Sequence, residues 1–337
     1  MAGNSRIFYG LQQVKVGSTV LNGVQSVGAS STTNVENFSR FGSVGATTIL
    51  QDLDLEITIE NALGSGWTNV LGAMGFSGIS TSIDTPVTVE IQYLTATGHT
   101  KVVTLSSILS SYSIQMGVDG PATESVTFQN SGTAVFTDGT DDVALGTPDG
   151  SVCGVITRPN FSGFKTAYSD NACDTSPTWG NVNTYSNMLS VSASMDIGTE
   201  KVNVLGQSLS FGKYVTFPIE TSMEVELHLD PSTGTDDDTN DTMGGFNSGY
   251  FANPTDTSLI DRTYQTLIQL PSNYYYMGGA RLTGVSRSGG DVGGGQVSIT
   301  ESFSSVNDLG YQTTDPGANI GTVTFPGSAP TTTTPAP

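Results

Sequence analysis

Residues 53–60 read LDLEITIE, and their alternation decides the fold class. Odd positions hold Leu53, Leu55, Ile57 and Ile59; even positions hold Asp54, Glu56, Thr58 and Glu60, with Asp52 just upstream. Successive side chains of a strand point to opposite faces. The stretch is therefore a strand with one apolar and one acidic face, and residues 223–230, MEVELHLD, write it again. A sheet with one wet face carries polar residues there, which explains polarity but not its sign. Asp52, Asp54, Glu56, Glu60, Glu220, Glu224, Glu226 and Asp230 occupy the two wet faces without one Lys or Arg. Opposite charges across strands stabilise a sheet and like charges destabilise it, so the bias points to a surface selected to be negative.

Outward from these strands the chain repeats itself. VQSVGASSTTNVENFSRFG, from Val24, aligns with MLSVSASMDIGTEKVNVLG, from Met188, at a shift of 164. Ser26, Val27, Ala29 and Ser30 fall on Ser190, Val191, Ala193 and Ser194, Glu36 on Glu200, and Gly42 on Gly206. Four residues of insertion then bring Asp52, Glu56 and Ile57 onto Glu220, Glu224 and Val225 at a shift of 168. A weaker third match sets residues 125–128, SVTF, against 296–299, QVSI, each after a Gly-rich turn. Order and pattern agree together, which is the signature of a duplicated unit. The expected organisation is a first β domain over 1–145, a loop or insertion over 146–180, a second β domain over 181–327, and a disordered Pro/Thr tail over 328–337.

The rest of the chain also reads as β structure. Val87, Val89, Ile91 and Tyr93 alternate with polar residues, then a turn at Ala96, Thr97 and Gly98 leads to a second strand around 101–105, a hairpin. Residues 264–270, YQTLIQL, form another strand, and 67–74, WTNVLGAM, a short helix or turn weakened by Gly72. Strand patterning fades between 137 and 181. With 41 Gly and only 12% charged residues among 337, the fold class is all-β: two tandem β-sandwich or barrel domains, each with at most a short helix.

Charge excludes one class of partner. Eleven Lys and Arg against 31 Asp and Glu give a formal net charge of −20, too few cations to hold nucleic acid by releasing counterions. No apolar run of 18 residues suggests a membrane span, and the opening MAGNSRIFYG lacks the order of a signal peptide. Cys153 and Cys173 form one bridge or remain two thiols. The two histidines, His99 and His228, supply a metal site or catalytic triad poorly. Asp236, Asp237, Asp238 and Asp241 fit calcium by donor type, but not the EF-hand pattern, and a solvated loop is the simpler reading. Residues 37–39, 160–162 and 240–242 match glycosylation sequons without a secretory context. Nucleophile elbow, phosphate loop and HExxH are all absent, so the expectation is no enzyme, no cofactor and no metal.

The S-V-x-A-S strand, the Glu-bearing link, the Gly turn and the amphipathic acidic strand resemble the tail tube proteins of long-tailed bacteriophages, over residues 24–60 and 189–230, about a quarter of the chain. The resemblance implies β-sandwich or barrel domains with a flanking helix. In that family such domains form a ring with a continuous inner barrel, and rings stack into a tube. A doubled domain departs from the single-domain pattern and implies a trimer with pseudo-sixfold symmetry, or a hexamer with the second domain outside. The family further implies location in the virion tail after assembly in the host cytoplasm, sheath, baseplate and tape-measure proteins as neighbours, and DNA passing without specific binding. On this reading Asp52, Asp54, Glu56, Glu60, Glu220, Glu224 and Glu226 line the lumen, where a wall without cations offers a phosphate nothing to pair with. The loop around Trp67 and residues 137–181 become candidate ring-to-ring contacts. Two other classes suit the same composition. One is a virion adhesin or decoration protein binding carbohydrate, with an exposed Tyr274, Tyr275 and Tyr276 and calcium-aided loops. The other is a baseplate or tail-completion protein of the same fold.

Overall fold

The structure, a computed structural model, describes residues 13–39, 41, 46–95, 98–130, 134–137, 154–169, 181–185, 187–202, 205, 212–228, 263–289 and 298–314. Cys153, Cys173, Asp230, the Asp236 to Asp241 loop and the Pro/Thr tail lie outside them. The strands are β1 (Gln13–Val16), β2 (Thr19–Val20), β3 (Val24–Ser39), β4 (Ala46–Ala62), β5 (Val87–Thr95), β6 (Gly98–Gly117), β7 (Thr123–Asn130), β8 (Ala134–Thr137), β9 (Gly163–Ser169) and β10 (Asn181–Thr184). They continue as β11 (Met188–Asp196), β12 (Thr199–Val202), β13 (Gly212–Val215), β14 (Glu220–His228), β15 (Thr263–Leu270), β16 (Asn273–Ser288), β17 (Ser298–Val306) and β18 (Gly310–Gln312). Two one-turn helices, α1 (Val70–Met74) and α2 (Ile79–Ser82), join β4 to β5. The chain is all-β, as its alternation requires.

LDLEITIE lies in β4, with Leu55, Ile57 and Ile59 buried and Glu56 and Glu60 exposed. MEVELH lies in β14, where Met223 and Val225 are buried. The expected hairpin is β5–β6, and YQTLIQL is β15. WTNVLGAM yields α1: Asn69 caps it by accepting from the Gly72 amide at 2.7 Å, and Gly75 closes it in the left-handed region at φ 70°. Within the span read as loop, β9 pairs with both β15 and β10.

Eight antiparallel strands form one continuous sheet in the order β3-β4-β7-β6-β11-β14-β17-β16. The first four come from one half of the chain and the last four from the other, in matching order. The β6–β11 ladder, Ser111 to Gly117 against Asp196 to Ser190, joins them. Two long strands each leave this sheet partway: β6 pairs with β5 before it joins β7, and β16 pairs with β15 before it joins β17. Three register slips recur at matching places: Val24/Ser26 with Met188/Ser190, Val87/Val89 with Tyr264/Thr266, and Leu109/Ser111 with Leu282/Gly284. Bulges re-aim strands and tend to persist within families.

The ladders revise two of the sequence alignments. With Ser26 laid on Ser190, Glu60 pairs where Glu226 does, so Glu224 matches Thr58 rather than Glu56. Ser125 pairs with Glu60 and Thr300 with Glu226, so residues 125–128 match 300–303, not 296–299. Packing also binds the halves. One apolar cluster runs from Val14 and Ile59 through Tyr112 and Val191 to Phe303 and Tyr311.

Candidate functional site: a wall of hydroxyls and carboxylates

Residues directly opposite in an antiparallel pair share a face. Following partners from Glu60 across the eight strands gives Ser26, Glu60, Ser125, Ser113, Ser194, Ser222, Ser304 and Arg281. The row beside it runs Thr123, Gln115, Ser192, Glu224, Ser302 and Gly284. Another runs Gly28, Thr58, Thr127, Ser111, Asp196 and Glu220. The opposite face carries the buried Ile57, Ile59, Phe128, Val191, Met223 and Phe303. One side of the sheet is thus core, and the other is mainly short hydroxyls dotted with carboxylates, with Gln115, Arg281 and, opposite Glu220, the exposed Val306 among them.

The hydroxyls tether the carboxylates. Ser26 Oγ donates to Glu60 Oε2 at 2.7 Å, Ser190 Oγ to Glu226 Oε2 at 3.3 Å, and Ser302 Oγ to Glu224 Oε2 at 3.4 Å. Ser194 and Ser222 hydroxyls meet at 2.8 Å. Glu56, Glu60, Glu220 and Glu224 are exposed and Glu226 half-buried, so the structure gathers these five on one face. Asp196, exposed on the same face, joins them and was missed because it sits past the end of the repeated S-V-x-A-S motif. Asp52 lies in β4 by its backbone.

Asp54 departs from the expected open carboxylate. The β12–β13 hairpin, from the second half, folds over β4 and sets Lys201 Nζ at 2.8 Å and Lys213 Nζ at 2.9 Å from Asp54 Oδ1. Burial alone would raise this carboxyl, but the two ammonium groups outweigh it and hold it below the ordinary value. A cavity lined by Ser30, Asp54, Glu56, Gln129, Lys201 and Lys213 lies under the hairpin. Gln129 Oε1 accepts there from Thr199 Oγ1 at 2.7 Å and Lys213 Nζ at 3.2 Å. The acidic face is therefore cation-free along β4 and β14 themselves but partly capped by this arm. Sequence reasoning could not pair lysines with a carboxylate some 150 residues away.

Behind the wall, two carboxyls are buried in the core. Glu124 Oε1 accepts from Asn61 Nδ2 at 2.7 Å and the Val70 amide at 2.9 Å, and Oε2 from the Tyr112 hydroxyl at 3.1 Å. Burial still pushes it up to about 7. Glu301 accepts from the Tyr185 hydroxyl at 2.9 Å and is likewise pushed by burial to about 7. Tyr112 of the first half stacks on Tyr275 of the second at 6.3 Å, and Asn69 Nδ2 donates to the Tyr275 hydroxyl at 2.6 Å. These groups are buried and bonded to core partners, so they read as structural.

The tyrosines expected to be exposed are not: Tyr274, Tyr275 and Tyr276 are 8%, 0% and 4% exposed. They sit where β15, β16 and β18 pack, which removes the aromatic platform of a sugar-binding surface. No group of three or more His, Cys, Asp or Glu is arranged to hold a metal among the described residues.

No protein-family model matches the chain, nor does any curated protein. Among solved structures there is distant similarity to the sheath/tube terminator of an extracellular contractile injection system, PVC, in the extended state. Identity is 13% and the TM-score 0.34, over 41% of this chain and 100% of that one. A second, to the anti-feeding prophage (AFP) baseplate, has 11% identity and a TM-score of 0.23, over 44% and 91%. Likenesses this distant do not place the chain in a family.

Proposed function

We propose that this chain is a non-enzymatic structural component of a phage-tail-like particle, whose copies close into a ring of three or six and stack into a tube. The eight-strand sheet faces the bore with its hydroxyl and carboxylate side and turns its apolar side into each subunit. DNA is the cargo, passing without specific binding. The observation that carries this reading is the row of hydroxyls and carboxylates that runs along one sheet face across both halves of the chain, with Arg281 at its outer end and Lys201 and Lys213 held by Asp54.

The physics favours passage by indifference rather than by force. A carboxylate and a phosphate about 10 Å apart in water repel by only ~0.4 kcal/mol, and salt screening over ~8 Å reduces that to ~0.1 kcal/mol. What matters more is that a wall mostly of Ser, Thr and carboxylate, with Lys201 and Lys213 already paired to Asp54 and Arg281 at the end of the row, displaces few counterions from the duplex and so gives it little at which to stop. The two repeats are read as duplicated tube modules, supported by the shared strand order and the three matched bulges. Sheath, baseplate and tape-measure proteins are the expected neighbours in the particle.

Electron microscopy of the purified protein tests this. Rings or tubes whose channel is lined by Glu56 and Glu224 are the expected result. Dispersed monomers at high concentration, or carboxylates on the outer surface, overturn it. A second reading puts the same ring once at an end of the tube, as a terminator or baseplate component, in keeping with how the two similar structures are described. Copy number per particle decides between them.

A further inference from the structure

The two ends of the eight-strand sheet bear on how one copy meets the next. At one end β3 pairs only with β4, and at the other the second half of β16 pairs only with β17, among the described residues. Unpaired edges are normally guarded by Lys, Pro or short length. β3 runs for 16 residues with no Pro and Glu36 as its sole charge.

Inside the chain, the same two kinds of strand already meet. By ladder register, β3 corresponds to β11 and β16 to β6, and β6 pairs with β11. The exposure pattern marks what is missing at the free ends. Ala29 is exposed, whereas Ala193, its counterpart, is 1% exposed under β6. Val285 is half-buried, whereas its counterpart Tyr112 is 1% exposed beside β11. Core-facing side chains at these two positions are thus left open where the sheet stops.

We infer that β16 of one copy pairs antiparallel with β3 of a second copy of this chain, in the register of the internal β6–β11 junction. Ser113 opposite Ser194 then specifies Ser286 opposite Ser30, and Ser111 opposite Asp196 specifies Gly284 opposite Thr32. This places Ser30 and Ser286 on the hydroxyl face and continues the wall from copy to copy. The inference rests on the ring-forming reading and adds its seam.

Cysteine cross-linking tests it. Opposed residues of an antiparallel pair lie within the Cα range of a disulfide, and a one-residue slip sends the side chains to opposite faces. In the assembled protein, oxidation of the S30C/S286C double variant yields a ladder of covalent multimers ending at the ring size. The S31C/S286C pair yields roughly tenfold less, because its sulfurs point to opposite faces. S30C and S286C alone control for Cys153 and Cys173, and S113C/S194C shows that this geometry closes within one chain. Rings by microscopy without the S30C/S286C ladder, or with S31C/S286C cross-linking equally, overturn the seam and leave the ring. Absence of any ring in the unmodified protein overturns both.

Discussion

Replacing Glu124 with Gln should flatten the pH dependence of stability. Glu124 is held by Asn61, Val70 and Tyr112 in the core, and burial raises its carboxyl from 4.5 to about 7. The folded chain therefore favours the protonated acid, and the unfolded chain binds fewer protons between those values. Stability is fully present below about pH 4.5 and lost as pH rises through about 7. Integrating between pH 5 and pH 8 gives a loss of roughly 2–3 kcal/mol for this one group, or about 3–4 °C in melting temperature for a chain of this size. Gln keeps the shape and the Oε1 acceptor, and its amide can donate to the Tyr112 hydroxyl, which accepts as well as donates. Thermal unfolding by circular dichroism at pH 5, 6, 7 and 8, at one protein concentration, gives the comparison. The wild type should lose about 3–4 °C more than Glu124→Gln across the range. Subtracting the variant removes the self-repulsion of a chain with net charge −20, which also grows with pH. Parallel pH curves would refute the account of Glu124 as a buried, proton-holding acid.

Other consequences can be checked separately. Glu301→Gln should flatten the same window by a similar amount, roughly 2–3 kcal/mol, since its carboxyl is raised by the same cause to the same value. Lys201→Ala with Lys213→Ala frees Asp54, whose titration by NMR should move upward; because these pairs are partly exposed, stability should change by no more than ~1 kcal/mol per pair. Glu56→Lys, Glu224→Lys and Glu226→Lys together put three cations on the wall and cancel the charge of the carboxylates left there, and duplex DNA should bind the assembled variant with a steep salt dependence that the wild type lacks. Binding of equal strength to both would show that the face does not meet the duplex. Phe303→Ala opens a cavity in the shared core and should cost about 3–5 kcal/mol in denaturant melts.

What the sequence disclosed, and what it hid, follows from the reach of each interaction. LDLEITIE and MEVELHLD announce β4 and β14 because alternation is local and one face is wet. β6 and β16 were harder, since the bulges at Leu109/Ser111 and Leu282/Gly284 break the period of two inside continuous strands. GFKTAYS falls in the span that reads as loop, though β9 lies there between β10 and β15. Glu124 and Glu301 look like surface residues in a string of letters, and only tertiary packing encloses them. Tyr274, Tyr275 and Tyr276 erred the other way, their polar tips suggesting exposure while β18 covers them. The wall was half legible: its carboxylates stand out in one strand, but its serines belong to six strands and meet only through register. The Lys201 and Lys213 clamp carried no local sign at all.

The strand count of the sheet has a consequence for calibre. Strands spaced about 4.8 Å apart and tilted about 40° give eight of them roughly 50 Å of circumference. In a ring of the kind proposed, three copies would close at a backbone diameter of about 48 Å, two at about 32 Å and six at about 96 Å. Serine reaches only a few ångströms inward, so a three-copy hoop keeps a clear width near ~38 Å, roomy for one double helix and too tight for two side by side. Longer side chains in the same rows would narrow the passage without changing the number of staves.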